Sequence, residues 1–296
     1  MRRQDSQVRI VGFMPTPFTD HDRVDVEQLI ALTSSIAKLG IEPAVLGGMG
    51  EYYALDRDES RACMAAAKAG AGGVPVVAGV GWSTREAVQV ATDAADLGVN
   101  SIVINPPHYA APSPRAYAEH VRQISDAART GAIVYSWPHF PLTDHYIEAL
   151  VDVEGFRGIK EEHYSVEETH ERIRRWGGRV EWWGVGEIGG SAYARAGADV
   201  VTTSIANIRP DLAVRAINAI VAGIQDSEAI EASREWERLL ASDRDGAPAF
   251  LTEVMHQFAG WNQFVRLPLL PSAPSIREAI AAYLARWAPK TQEAAT

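Results

Sequence analysis

The feature that most restricts how this chain can fold is a rhythm: from Val8 onward, short apolar runs alternate with longer amphipathic ones. Arg9–Met14, Ala44–Leu46, Val74–Val80, Ser101–Asn105, Ala132–Tyr135, Phe156–Lys160, Val180–Gly184 and Val200–Ser204 read as strands. Between them, apolar residues recur at helical spacing, as in Val26–Leu39, which ends at the stop signal Gly40. Strands joined by helical crossovers lie parallel and wind right-handedly. About eight such pairs is the number of a closed barrel. The expected fold class is therefore α/β, a (β/α)8 TIM barrel over residues 1–224. The remainder, 225–296, carries helical patterns at Ser227–Leu240, Pro248–Phe258 and Ser275–Trp287 and is expected to pack on the barrel as a C-terminal helical extension. An open doubly wound sheet is the competing architecture. Its usual G-x-G-x-x-G turn is absent, because Gly47-Gly48-Met49-Gly50 runs into Glu51-Tyr52-Tyr53 where the third glycine belongs.

A length of 296 residues suits one barrel with extensions. A net charge of -10 gives no electrostatic footprint for nucleic acid or an anionic membrane. No apolar run reaches membrane-spanning length, and the opening Met1-Arg2-Arg3-Gln4-Asp5 leads into a strand with no signal-peptide core. With Cys63 alone there is no disulfide framework, so a reducing, cytoplasmic location is expected.

Phe156-Arg157-Gly158-Ile159-Lys160 is a strand that ends in a lysine, with Glu161, Glu162 and His163 following at once. Parallel strands are buried on both faces, so a lysine there needs a reason. In an apolar pocket it loses proton affinity and becomes an amine able to attack a carbonyl. Most lysines are solvated, and alone this segment favours a lysine that has left the barrel to pair with Glu161 or Glu162. Catalytic groups of a barrel, however, gather at the C-terminal strand ends. Lys160 ends the sixth strand, Tyr135 the fifth, and the Gly47–Glu51 turn follows the second, so all three should open on one mouth. That convergence favours the catalytic reading.

Thr16-Pro17-Phe18, Gly47-Gly48-Met49-Gly50-Glu51-Tyr52-Tyr53, Val76-Val77-Ala78-Gly79-Val80-Gly81, Pro106-Pro107-His108-Tyr109, Val134-Tyr135-Ser136-Trp137-Pro138, Gly158-Ile159-Lys160-Glu161, Ala206-Asn207-Ile208 and Arg266-Leu267-Pro268 occur in order along the chain. Through them it resembles, nearly end to end, the dihydrodipicolinate synthase / N-acetylneuraminate lyase family of class I Schiff-base aldolases and dehydratases. The resemblance implies that Lys160 forms an iminium with a 2-oxo acid, typically pyruvate. The resulting enamine adds to an aldehyde, arises from retro-aldol cleavage, or expels a β-hydroxyl. Tyr135 matches the family's proton-shuttling tyrosine, and a phenol's ordinary pKa lies close to lysine's. The turn Gly47, Gly48, Met49 and Gly50 should offer backbone N–H groups to the substrate carboxylate, with Gly48 permitting close approach and unusual dihedrals. Tyr109 aligns with a tyrosine that reaches into a neighbouring subunit, which implies a homotetramer built as a dimer of dimers. Ser136, His139 and Thr203 complete the expected substrate-binding set. No cofactor and no metal are expected.

Two departures stand out. The family's hydroxyl at Met49 is missing, so the relay between its tyrosines is interrupted, and Ser136 is one hydroxyl that could replace it. The arginine by which true dihydrodipicolinate synthases hold a dicarboxylate is replaced by Phe140, leaving His139 as the nearest cation. That argues against the synthase itself and, with Trp137, for a more apolar pocket. His108, His139 and His163 fit no metal-ligand spacing. Glu161 and Glu187 could tune the lysine or bind hydroxyls, whereas Glu162 reads as a solvated loop carboxylate. Trp176, Trp182 and Trp183 are expected between sheet and helices. The expected activity is a pyruvate-type Schiff-base lyase making or breaking a C–C bond. Two alternatives stay open: a dehydratase resembling 5-dehydro-4-deoxyglucarate dehydratase, and a non-catalytic relative that binds a keto acid.

Overall fold

The computed structural model describes residues 8–107 and 109–289. Strands β1 (Arg9–Phe13), β2 (Glu42–Val45), β3 (Val77–Val80), β4 (Ser101–Ile104), β5 (Gly131–Ser136), β6 (Phe156–Glu161), β7 (Glu181–Gly184) and β8 (Val200–Thr203) pair in sequence order. Every pairing is parallel, and β1 closes the barrel on β8. The crossovers are α1 (Val26–Ala37), α2 (Arg57–Gly70), α3 (Thr84–Asp96), α4 (Pro114–Ala128), α5 (Asp144–Leu150), α6 (Val166–Trp176), α7 (Glu187–Ala196) and α8 (Pro210–Ala222). Local chemistry sets several of their starts. Asp56, Ser83 and Ser165 each cap a helix and are capped in return by Glu59, Glu86 and Glu168, which satisfies otherwise orphaned N–H groups.

Side chains alternate across each strand, so every second residue faces the barrel axis. Val11, Phe13, Ala44, Val77, Val103, Ile133, Trp183 and Val200 fill that axis, while a larger apolar layer joins the sheet to the helices. Trp182 lies in the outer layer as expected, but Trp183, one residue on, points inward. Its Nε1–H donates to Glu181 Oε1 at 2.6 Å. Arg9 bonds Glu42 at 2.8 Å and Glu181 at 3.0 Å across the first residues of β1, β2 and β7, so ion pairs seal the N-terminal end. The open end is the one that carries Lys160.

Helix α7 begins at Glu187, ahead of two glycines. Gly189 and Gly190 hide its start, since glycine weakens helix propensity. Packing overrides that cost: a Cβ on Gly190 would lie 2.8 Å from Val201 and 2.9 Å from the Gly184 carbonyl, so only glycine lets α7 lie this close to the sheet. Helices α9 (Ser227–Ser242), α10 (Gly246–Ala259) and α11 (Pro274–Trp287) form the extension and share the outer apolar core. Trp236 of α9 is fully buried and donates to Ser204 Oγ at 2.8 Å, just past β8. Among the described residues no helix is long and apolar enough to cross a membrane.

Candidate active site

The alternation of β6 sends Gly158 and Lys160 inward and Ile159 and Glu161 outward. Lys160 pairs with Tyr135 on one side and Trp183 on the other. It is only 7% exposed. Its Nζ lies 3.5 Å from the centre of the Tyr135 ring and 5.2 Å from that of Phe13, so aromatic faces stand in for much of its water. Burial lowers its proton affinity, against the opposing pull of Glu162 and then Glu161. Nζ stands 3.6 Å from Glu162 Oε2. The same Oε2 accepts the Tyr135 hydroxyl. Burial first, and the Glu162 charge second, push the phenol's pKa well above its ordinary value. An amine, a phenol and a carboxylate therefore meet in one cluster at the barrel mouth.

Glu162, expected as a solvated loop carboxylate, does follow the end of β6 and keeps 37% of its side chain exposed, but it also contacts Lys160 and Tyr135. It sits two residues beyond Lys160 and continues the inward alternation, held by its N–H to the Ser136 carbonyl at 3.0 Å. That period of two was the available signal. Glu161, on the other face, accepts the N–H groups of His163 at 2.7 Å and Tyr164 at 3.0 Å and so ties down the loop.

The glycine turn after β2 forms a short 3-10 helix, Gly48–Gly50. The Gly50 N–H is spent on Gly47 O at 3.0 Å and the Glu51 N–H on Gly48 O at 3.2 Å. At a helix start the opening N–H groups have no intrahelical partner, and those of Gly48 and Met49 donate to no backbone carbonyl among the described residues. A Cβ on Gly47 would fall 2.7 Å from the Phe13 ring, and one on Gly50 3.0 Å from Met14 O. A Cβ on Gly48 would meet nothing within 4 Å. Gly48 has no positive φ either, so what its missing side chain provides is open space and not the unusual dihedral expected. Met49 is half-buried against the inner core. The turn is braced from the extension: Arg266 N–H donates to Glu51 Oε2 at 2.9 Å, and its guanidinium bonds Glu59 at 2.6 Å and Asp22 at 2.7 Å. Burial raises the Glu51 pKa to about 7.

Not every expected contact joins the cluster. Ser136 is fully buried on the outer face of β5, where its Oγ accepts the Leu142 N–H at 3.2 Å. Thr203 likewise faces outward and donates to Glu187 Oε1 at 2.6 Å. Both hydroxyls are committed behind the sheet. Phe140 turns away from the mouth and packs on Tyr117 and Tyr146, with ring centres 5.1 Å and 5.5 Å apart. Trp137 and His139 remain on the loop after β5, edge to face at 4.6 Å. His163 packs against Tyr164 at 4.6 Å. Tyr109 projects from its loop fully exposed. His108 lies outside the described residues.

The model of the dihydrodipicolinate synthetase family matches residues 6–286. A probable 5-dehydro-4-deoxyglucarate dehydratase from Chelativorans sp. is 31% identical over 182 residues, which is 60% of each chain. The 4-hydroxy-tetrahydrodipicolinate synthase of Halorhodospira halophila is 30% identical over 76% of this chain and 77% of its own. A solved structure of the Ruminococcus gnavus sialic acid aldolase, a catalytic lysine mutant, superposes with a TM-score of 0.85 over 97% of each chain at 20% identity, a likeness of fold.

Proposed function

The chain belongs to the dihydrodipicolinate synthetase family of class I Schiff-base lyases, and from that premise we propose that Lys160 is the amine that condenses with pyruvate or another 2-oxo acid. The observation that carries this reading is the position of Nζ: 3.5 Å from the Tyr135 ring, on an almost buried side chain at a strand end of the open mouth. An amine kept from water is more often neutral and so nucleophilic. Once the C–N bond is made, the cationic iminium draws electrons from the neighbouring carbon, so a proton or carbon fragment leaves to give an enamine. The iminium is its own electron sink, and the chemistry calls for no cofactor or metal.

Tyr135 delivers and recovers protons at the reacting carbon. The Gly48 and Met49 N–H groups receive the substrate carboxylate, in the open space that a side chain on Gly48 would fill. His139 is the cation of the loop above. Tyr109, fully exposed in a single copy, completes a neighbour's mouth in a homotetramer that works in the cytoplasm. Phe140, packed into the helix layer, offers no fork for a second carboxylate, which supports a substrate other than that of the dihydrodipicolinate synthases. The dehydratase reading is favoured by the likeness to a probable 5-dehydro-4-deoxyglucarate dehydratase. A panel of 2-oxo acids, with and without aldehydes, separates the two: an aldolase exchanges an aldehyde, a dehydratase releases water. Lys160→Met should abolish either activity. Turnover that survives Lys160→Met would overturn the assignment.

A further inference from the structure

Condensation at Lys160 poses a proton problem. The amine must shed a proton before it attacks, and the carbinolamine must receive one before its hydroxyl can leave. A relay through a hydroxyl at Met49 is not available, and the hydroxyls of Ser136 and Thr203 are committed on the outer face. Glu162 is the group in contact with both reacting partners. Its Oε2 lies 3.6 Å from Lys160 Nζ and accepts the Tyr135 hydroxyl. Its backbone is fixed on Ser136 O at 3.0 Å, while 37% of its side chain stays open to the mouth.

We infer that Glu162 is a catalytic acid–base group, which takes the proton that Lys160 sheds and returns it through Tyr135 to the departing water. This rests on the reading of Lys160 as the Schiff-base amine. The balance closes without bulk protons. The ammonium gives one proton to the Glu162 carboxylate, leaving a neutral amine and a carboxylic acid. Nζ bonds to the carbonyl carbon and the C=O π bond opens. One Nζ proton moves to that oxygen, giving the neutral carbinolamine. Tyr135 then protonates the hydroxyl, the C–O bond breaks, and water leaves as the nitrogen lone pair forms C=N. Glu162 reprotonates the tyrosinate. The pair begins as ammonium plus carboxylate and ends as iminium plus carboxylate, with one water released. The carboxylate left beside the iminium also offsets its charge.

The test is the rate at which pyruvate becomes trapped on the protein, from timed borohydride quenches between about pH 6 and pH 9, for wild type, Glu162→Gln and Glu162→Asp. Glu162→Gln should slow trapping at neutral pH by about 10²- to 10³-fold. Given time, the adduct should still form in full, which shows an intact fold and amine, and Glu162→Asp should recover part of the rate. The sign separates this from a merely electrostatic role. If Glu162 only held Lys160 as ammonium, the glutamine variant would trap pyruvate faster at neutral pH. A rate that is faster or unchanged, or a slower one that Glu162→Asp does not partly recover, overturns the inference and leaves the Lys160 reading standing. Wild-type protein that traps no pyruvate overturns both.

Discussion

Tyr135 holds a hydroxyl that cannot readily ionise, because burial and the Glu162 carboxylate both favour its protonated form. Such a phenol is suited to give up a proton only in exchange for another. Tyr135→Phe keeps the ring face against Lys160 Nζ and removes only the proton. It should lower kcat by about 10²- to 10³-fold and leave KM for the 2-oxo acid nearly unchanged, as steady-state kinetics would show. A proportionate rise in KM would instead mark Tyr135 as a binding group. At this scale the meeting of Lys160 and Tyr135 was legible in the sequence, because both close barrel strands and such ends share one mouth. Glu162 was not, because a second carboxylate beside a lysine looks like any solvated pair until the strand is known to continue inward past Lys160.

Strand parity decides most of what the sequence misassigned at the level of elements. The eight-strand rhythm was legible, since apolar runs separated by amphipathic helices leave few alternatives. Which face each strand residue takes is finer, and a shift by one residue turns every side chain over. Ser136 and Thr203 sit one position from inward-facing neighbours, and their hydroxyls therefore brace the outside of the barrel. Trp183 shows the same effect in the other direction. Thr203→Val should cost about 1 kcal/mol by removing one donor from the buried Glu187 carboxylate, measured by urea unfolding. The rate of pyruvate trapping should stay at the wild-type value. A rate that falls with stability unaltered would place Thr203 in the mouth after all.

For the molecule as a whole, the contact between barrel and extension is also a proton-linked one. Glu187 of α7 accepts the Thr203 hydroxyl, Ser204 N–H and Ile205 N–H on one oxygen, and its other oxygen is buried with no hydrogen-bond donor among the described residues. Glu237 of α9 accepts the Ile188 N–H at 2.8 Å, and its pKa is raised by burial and then by the Glu187 charge. A protonated Glu237 can donate to the Glu187 carboxylate beside it. Its pKa in the folded state lies above that of an unfolded glutamate, as does that of Glu51. The stability they contribute is therefore complete below the ordinary carboxylate range and lost as the pH rises towards neutrality. Glu237→Gln keeps the carbonyl and supplies a permanent donor. It should be more stable than wild type at about pH 8, by roughly 1–3 kcal/mol, and little different near about pH 5. Parallel urea midpoints for the two proteins across that range would refute the shared proton. No linear pattern announces this pair, since Glu187 and Glu237 stand 50 residues apart and meet only when α9 folds back on α7.

The most direct measurement of the central claim is a peptide map of the protein after incubation with pyruvate and borohydride. One modified peptide is expected, heavier by one pyruvic acid less the water lost on condensation plus the two hydrogens of reduction, with the modification on Lys160 and absent from Lys160→Met. An adduct on Lys38, Lys68 or Lys290, or no adduct at all, would contradict the assignment of Lys160.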